Sequence, residues 1–126
     1  MAGRSLFLFA LMALVVRIPF DFQAGERHFG PGEYVLTLEG DPAASLTVRS
    51  ADKGGRAVLG VRRSTETGES APTVSFHAYG DRRFLSAVQL APGQRWEIVP
   101  SETETAAART HGTPTLTRLR ADHAGR

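Results

Sequence analysis

The chain has 126 residues, with 15 lysines and arginines against 13 aspartates and glutamates, and no cysteine. That length holds one domain and leaves little room for a second, and the missing cysteines exclude a disulfide framework and any thiolate metal site. The net charge of +2 gathers at the C-terminal end, where Arg109, Arg118, Arg120 and Arg126 meet the single acid Asp122; the remainder is near neutral, so no nucleic-acid footprint is expected on the domain.

Residues 1–16, MAGRSLFLFALMALVV, read as a signal-peptide-like segment. Arg4 supplies a positive charge, and residues 6–16 form an apolar run of the length of a signal core, too short to span a bilayer comfortably. No small-x-small cleavage site follows, because the chain continues Val15-Val16-Arg17. The expectation is an extracellular or periplasmic protein that meets a membrane only through residues 1–16, if these are retained.

Residues 17–100 read as a β domain. Ile18, Phe20 and Phe22 alternate with Pro19, Asp21 and Gln23, and Pro19, which lacks an amide donor, marks an edge or a bulge. A short strand over residues 26–29 precedes Gly30-Pro31-Gly32, which suits a type II turn with positive φ at Gly32. Tyr34, Leu36 and Leu38 then alternate, followed by Leu46 and Val48. Asp52-Lys53-Gly54-Gly55 is a hairpin signal, answered by Ala57, Leu59 and Val61, with Gly60 outward as a bulge or a close backbone approach. After a polar loop over residues 64–72, Val74, Phe76 and Ala78 face one way and His77 and Tyr79 the other. Residues 83–91 are apolar on both faces, Phe84, Val88 and Leu90 against Leu85, Ala87 and Ala91, which requires a central or covered strand. Trp96 and Ile98 close the set.

After Pro100 the pattern changes. Ser101 and Glu104 have capping-box spacing, and Gly112 and Pro114 stop a short helix over residues 101–110. Residues 111–126 offer only Leu116 and Leu119 as anchors and read as a polar, disordered tail. The whole predicts an all-β fold, a small antiparallel β-barrel or β-sandwich of about eight short strands with a short C-terminal helix. Pattern alone does not separate barrel from sandwich.

Three pieces in order, Ile18-Pro-Phe-Asp-Phe22, Gly25 to Tyr34 with Phe29-Gly30 in place of Leu-Pro, and Phe76-His-Ala-Tyr79-Gly80-Asp-Arg-Arg-Phe84-Leu85, resemble a family of small uncharacterised secreted β proteins of Acidobacteria and similar soil bacteria. The resemblance spans roughly residues 17–108. It implies a secreted β domain and transfers no catalytic residue.

No residue set has catalytic spacing. His28 and His77 make an incomplete zinc pair, and only Asp21 or Asp81 offers a third ligand, so neither metal nor other cofactor is expected. No serine sits in a nucleophile elbow or beside a histidine, and the acids Asp21, Glu33 and Glu97 stand singly, so enzyme activity is not expected. Two surfaces remain. Tyr79 and Trp96, with Arg82, Arg83 and Arg95 nearby in sequence, suggest a ligand surface for a small apolar molecule or a glycan. Arg17, Ile18, Pro19 and Phe20 suggest an assembly edge. The expected role is an exported structural or protein-interaction domain whose partner is a protein, with a second copy of itself among the candidates.

Overall fold

The computed structural model describes residues 12–40, 43–65 and 71–124. In chain order these form β1 (Met12–Ile18), β2 (Phe22–Ala24), β3 (Arg27–Phe29), β4 (Gly32–Gly40), β5 (Ala43–Ser50), β6 (Arg56–Arg63), β7 (Thr73–Tyr79), β8 (Arg82–Ala91), β9 (Gln94–Ile98), α1 (Glu102–His111), β10 (Thr115–Arg120) and β11 (Asp122–His123). The strands share one sheet in the order β10-β7-β8-β9-β6-β5-β4-β1-β11, with β2 and β3 attached beside β8. Pairing is antiparallel throughout except for one parallel contact, Gln23 with Phe84. The domain is therefore all-β with one short helix, as the alternations require.

The two ends of the sheet path are consecutive in the chain. β10 pairs with β7 from Thr115↔Ala78 to Arg120↔Thr73, and β11 pairs with β1 at Leu14↔His123 and Val15↔Asp122. Only Ala121 separates them, and it is buried. Its N–H donates to the Pro72 carbonyl at 3.1 Å, and the Ala124 N–H donates to Ala13 at 3.0 Å. This corrects the reading of residues 111–126 as a disordered tail. The segment has few apolar side chains, but backbone hydrogen bonds hold it, and hydropathy does not register those.

The N-terminal boundary also moves. Residues 12–16 belong to β1, which pairs with β4 along its whole length, and Leu14 and Val16 are 1% and 2% exposed. The β domain thus includes residues 12–16, inside the segment read as signal-like; the rest of that segment lies outside the described residues. The alternation Leu14, Val16, Ile18 continues the same buried face. It was hidden because the intervening residues are apolar too, which turns a strand into a continuous run.

Phe22 stands at the centre of the aromatic core. Its ring stacks on Phe29 at 5.4 Å between centroids and meets Tyr34 and Phe76 edge-on at 5.1 and 5.6 Å, within the range that favours such pairs. The Tyr34 hydroxyl donates to the Gly30 carbonyl at 2.6 Å. That bond, with the Lys53 ammonium donating to the Pro31 carbonyl at 3.0 Å, secures the turn over Gly30 and Pro31. Gly32 has no positive φ, so the predicted type II geometry is not the one adopted. At Gly60 an added Cβ meets nothing closer than Val99 at 3.8 Å, so no close backbone approach explains that glycine.

One bulge reassigns a face of β8. The register with β7 shifts between Ser75 and Phe76, so Leu85 joins Val88 and Leu90 in the main core while Phe84 turns to the outer side with Tyr79 and Ala107 of α1. The inward face is therefore Leu85, Val88 and Leu90, with Phe84 under the helix. The double-sided burial of residues 84–90 was expected, and α1 covers the outer face at Phe84.

Two measurements test this architecture. Removing residues 113–126 should cost several kcal/mol, at about 0.5–1.5 kcal/mol net per backbone hydrogen bond lost, and should lower Tm by more than about 10 °C in a thermal melt. Gly25 has φ +64, and an added Cβ lies 2.7 Å from the Leu59 side chain, whereas Gly93 has φ +75 and open space around it. Gly93→Ala should then cost about 1–2 kcal/mol of backbone strain alone, and Gly25→Ala a further 1–3 kcal/mol or so of overpacking. Equal costs by urea denaturation would show that β2 and β6 are not in close contact.

Candidate functional site

Two features stand out, and α1 lies beside both. Ser101 caps the helix by accepting the Glu104 N–H at 3.1 Å. The reciprocal half of the expected capping box is not made. The Glu104 carboxylate turns inward, where the Tyr79 hydroxyl donates to it at 3.0 Å and His77 Nδ1 approaches it at 2.9 Å. Tyr79 and His77 are two apart on β7 and so share a face. Glu104 is 6% exposed, so a carboxyl group and two hydrogen bonds, together with Ala107 over Tyr79 and Phe84, dock the helix on the sheet. At the helix N-terminal side Thr103 donates to Glu26 through both its hydroxyl and its N–H, and this hydroxyl bond holds the Glu26 carboxyl below its ordinary range.

Burial first, then the hydrogen bond to Glu104 and the charge on Glu104, push the Tyr79 hydroxyl up to about 12. His77 also lines a cleft of about 150 Å³ shared with Arg62, Ser86, Arg95 and Glu97. The Glu104 carboxylate at Nδ1 holds the orientation of the ring, and Ser86 shares the cleft with it. The arrangement orients a histidine without lining up a nucleophile.

The residues expected to form a ligand surface do not converge. Tyr79 is buried beneath α1, and Trp96 is buried in the main core with the Arg63 guanidinium 5.0 Å above its ring. Arg82 donates to Gln23 at 2.6 Å and lies over Phe84. Arg83 covers Phe20 at 4.4 Å. Arg95 lines the His77 cleft. Both aromatic rings are spent on packing, so they present no stacking face to a sugar.

The expected assembly edge is also placed differently. β4 covers one side of β1, and β11 the other at Leu14 and Val15. Arg17 forms an exposed ion pair with Glu33 at 3.6 Å, Ile18 is buried, and Pro19 and Phe20 follow the strand. Of the metal candidates, Asp21, His28 and Asp81 share a cleft of about 150 Å³ with Arg82 and Arg83, while His77 sits with Glu104. His28 Nε2 lies 4.0 Å from Asp21. Among the described residues no three histidines or acids are placed to hold a metal ion.

Besides the outer sides of β10 and β11, open strand edges face each other between β3 and β6. β3 pairs only with β2, and the first half of β6 pairs only with β5. The two strands touch through side chains: positions at Gly25 and Gly55 abut Leu59 and Phe29. On β6 the Gly55 carbonyl accepts from Ser50 and the Gly60 carbonyl accepts from Val99. By the alternation of an antiparallel strand, the backbone groups of Arg56 and Val58 point the same way as Gly60, away from β5 and into the gap. That gap is a groove of about 660 Å³ running from Arg27 and Arg56 to Glu26, Val99 and Ser101. Val58 and Val99 on its wall are 59% and 47% exposed, two of the four large exposed apolar residues among those described. The sequence signal for this groove was an outward valine on each flank. It was overlooked because single exposed apolar residues are ordinary.

Comparison with family models, with curated proteins and with solved structures returns no match for this chain.

The Tyr79 contact makes a pH prediction. A tyrosine that ionises near 10 when unfolded and near 12 when folded stabilises the fold fully below pH 10. That contribution is lost as pH rises from 10 through 12. Tm should therefore fall across that window by more in the native chain than in Tyr79→Phe, and absorbance titration at 295 nm should show the late tyrosine moving down in Glu104→Gln.

Proposed function

We propose that the chain is a non-enzymatic protein-interaction domain that accepts an extended strand between β3 and β6. The observation that carries this reading is the pair of unpaired backbone positions, Arg56 and Val58, on the wall of an apolar groove flanked by exposed Val58 and Val99. An entering strand supplies the missing ladder bonds, and its alternate side chains fill the groove, which is the logic of β-augmentation. The strands form a single sheet that is not closed into a barrel, although its two terminal strands are consecutive in the chain. Export to the periplasm or the cell exterior belongs to the same proposal, supported by Arg4 and the apolar residues after it. So does membership of the small secreted β proteins of soil bacteria, supported by the place of Phe22, Tyr34 and Phe76 in one aromatic cluster.

A second reading, a binding module for a small apolar ligand or glycan, is favoured by the groove volume, which lies within the range of small-molecule sites. The two are separated by offering the full chain a panel of alternating apolar–polar octapeptides and following amide hydrogen exchange. Strand addition should slow exchange at Arg56 and Val58 at least tenfold, and Val58→Pro, which removes one amide and spoils the ladder, should abolish the effect. No protection with any peptide overturns the strand-accepting reading. Ligand binding that survives Val58→Pro supports the small-molecule one.

A further inference from the structure

The groove reading leaves its occupant open, and the chain itself supplies one. We infer that the strand entering between β3 and β6 is residues 6–11, LFLFAL, of a second copy, giving a head-to-tail assembly. This rests on the strand-accepting reading above and names its partner.

Two observations carry it. The first is reach. Met12 is in register with Leu38, Leu38 with Leu46, and Leu46 with Leu59. The exit of the N-terminal segment is thus level with the groove but on the far side of β4, β5 and β6. A strand added beyond β6 lies four ladder steps from β1, about 19 Å at ~4.8 Å per step. Crossing that distance takes about six extended residues. Within one copy residues 6–11 would be used up in the crossing and could not also fill the groove. A second copy has no such distance to span and delivers the apolar residues to the apolar groove.

The second is fit. The unpaired stretch of β6 runs from Arg56 to Gly60, where Val99 takes over, and LFLFAL matches that length. It carries no charge and no proline, so every residue is able to join the ladder. Because donor and acceptor are different surfaces, the contact is heterologous and propagates as an open chain.

The test uses the full chain and two variants. Leu8→Pro spoils the donor, and Val58→Pro spoils the acceptor, with Val58→Lys as a second acceptor variant should proline unfold β6; circular dichroism confirms the fold of each. Sedimentation equilibrium over a concentration range should show the native chain at more than twice the monomer mass at its upper end, and each variant alone as a monomer. Mixing Leu8→Pro with Val58→Pro should give a single heterodimer and nothing larger, because the pair retains one donor and one acceptor. A native chain monomeric throughout, a Leu8→Pro chain that still assembles, or a mixture that does not combine overturns the inference. So does a mature protein from the native host whose N-terminal mass lacks residues 6–11. If the native chain is monomeric while octapeptides still protect Arg56 and Val58, the groove reading survives and the donor assignment alone is lost.

Discussion

A sheet is held together by backbone groups that must find partners, and its two outer edges are the places where they do not. The domain answers this with its last described residues. β10 closes the free side of β7 and β11 the free side of β1, and the two are one stretch turned at Ala121. A single polar segment thus pairs both β7 and β1 and becomes the outer edge of the path at each end. Its side chains matter little, apart from Ala121 and the half-buried Leu119, because the requirement is met by N–H and C=O groups alone. Besides the outer sides of β10 and β11, what stays open is the stretch from Arg56 to Val58 and its neighbour β3, where the hairpin of β2 and β3 meets β6 through side chains only.

The helix depends on the same frame. It follows β9 and precedes β10, so its docking sets where the closing strand begins. Most short surface helices dock through an apolar stripe. Here Ala107 is the one buried apolar residue of α1, and the carboxyl group of Glu104 does the rest through Tyr79 and His77. Burying a carboxyl group is costly without partners, and the two ring side chains of β7 are those partners. The geometry is therefore directional: a shift of α1 along the sheet breaks both bonds together, whereas an alanine stripe tolerates sliding.

Much of this was legible in the residues. Tyr34, Leu36, Leu38, Leu46 and Val48 are buried where period-two alternation puts them, because β4 and β5 each keep one wetter face, and Val74 and Phe76 follow the same alternation on β7, whose other face is partly buried too. The failures share a cause, which is that side-chain hydropathy is blind to backbone pairing. Residues 115–123 looked like a tail because their bonds are main-chain bonds. Leu14 and Val16 looked like a signal core because their neighbours Ala13 and Val15 are also apolar. Phe84 was assigned to the wrong face because the bulge between Ser75 and Phe76 resets the parity. Glu104 has the spacing of a capping residue, and only the position of Tyr79 in space reveals that its side chain goes elsewhere. The ligand surface around Tyr79 and Trp96 failed for a simpler reason: nearness along the chain did not place the rings together.

The pairing of β1 with β11 has a consequence for how the molecule is made. Leu14 meets His123, so nearly the whole chain intervenes between two residues that must touch. Contacts of such separation form slowly, because the closure entropy falls due before they reward it. During synthesis β1 is among the first described strands to emerge, and its partner on one side is the last. For that interval β7 and β1 both present bare backbone, and a nascent domain in this state is open to pairing with any neighbouring strand. The polar character of residues 115–123 is then an asset: the closing segment does not collapse early onto the wrong surface, and it arrives at its place still extended and soluble.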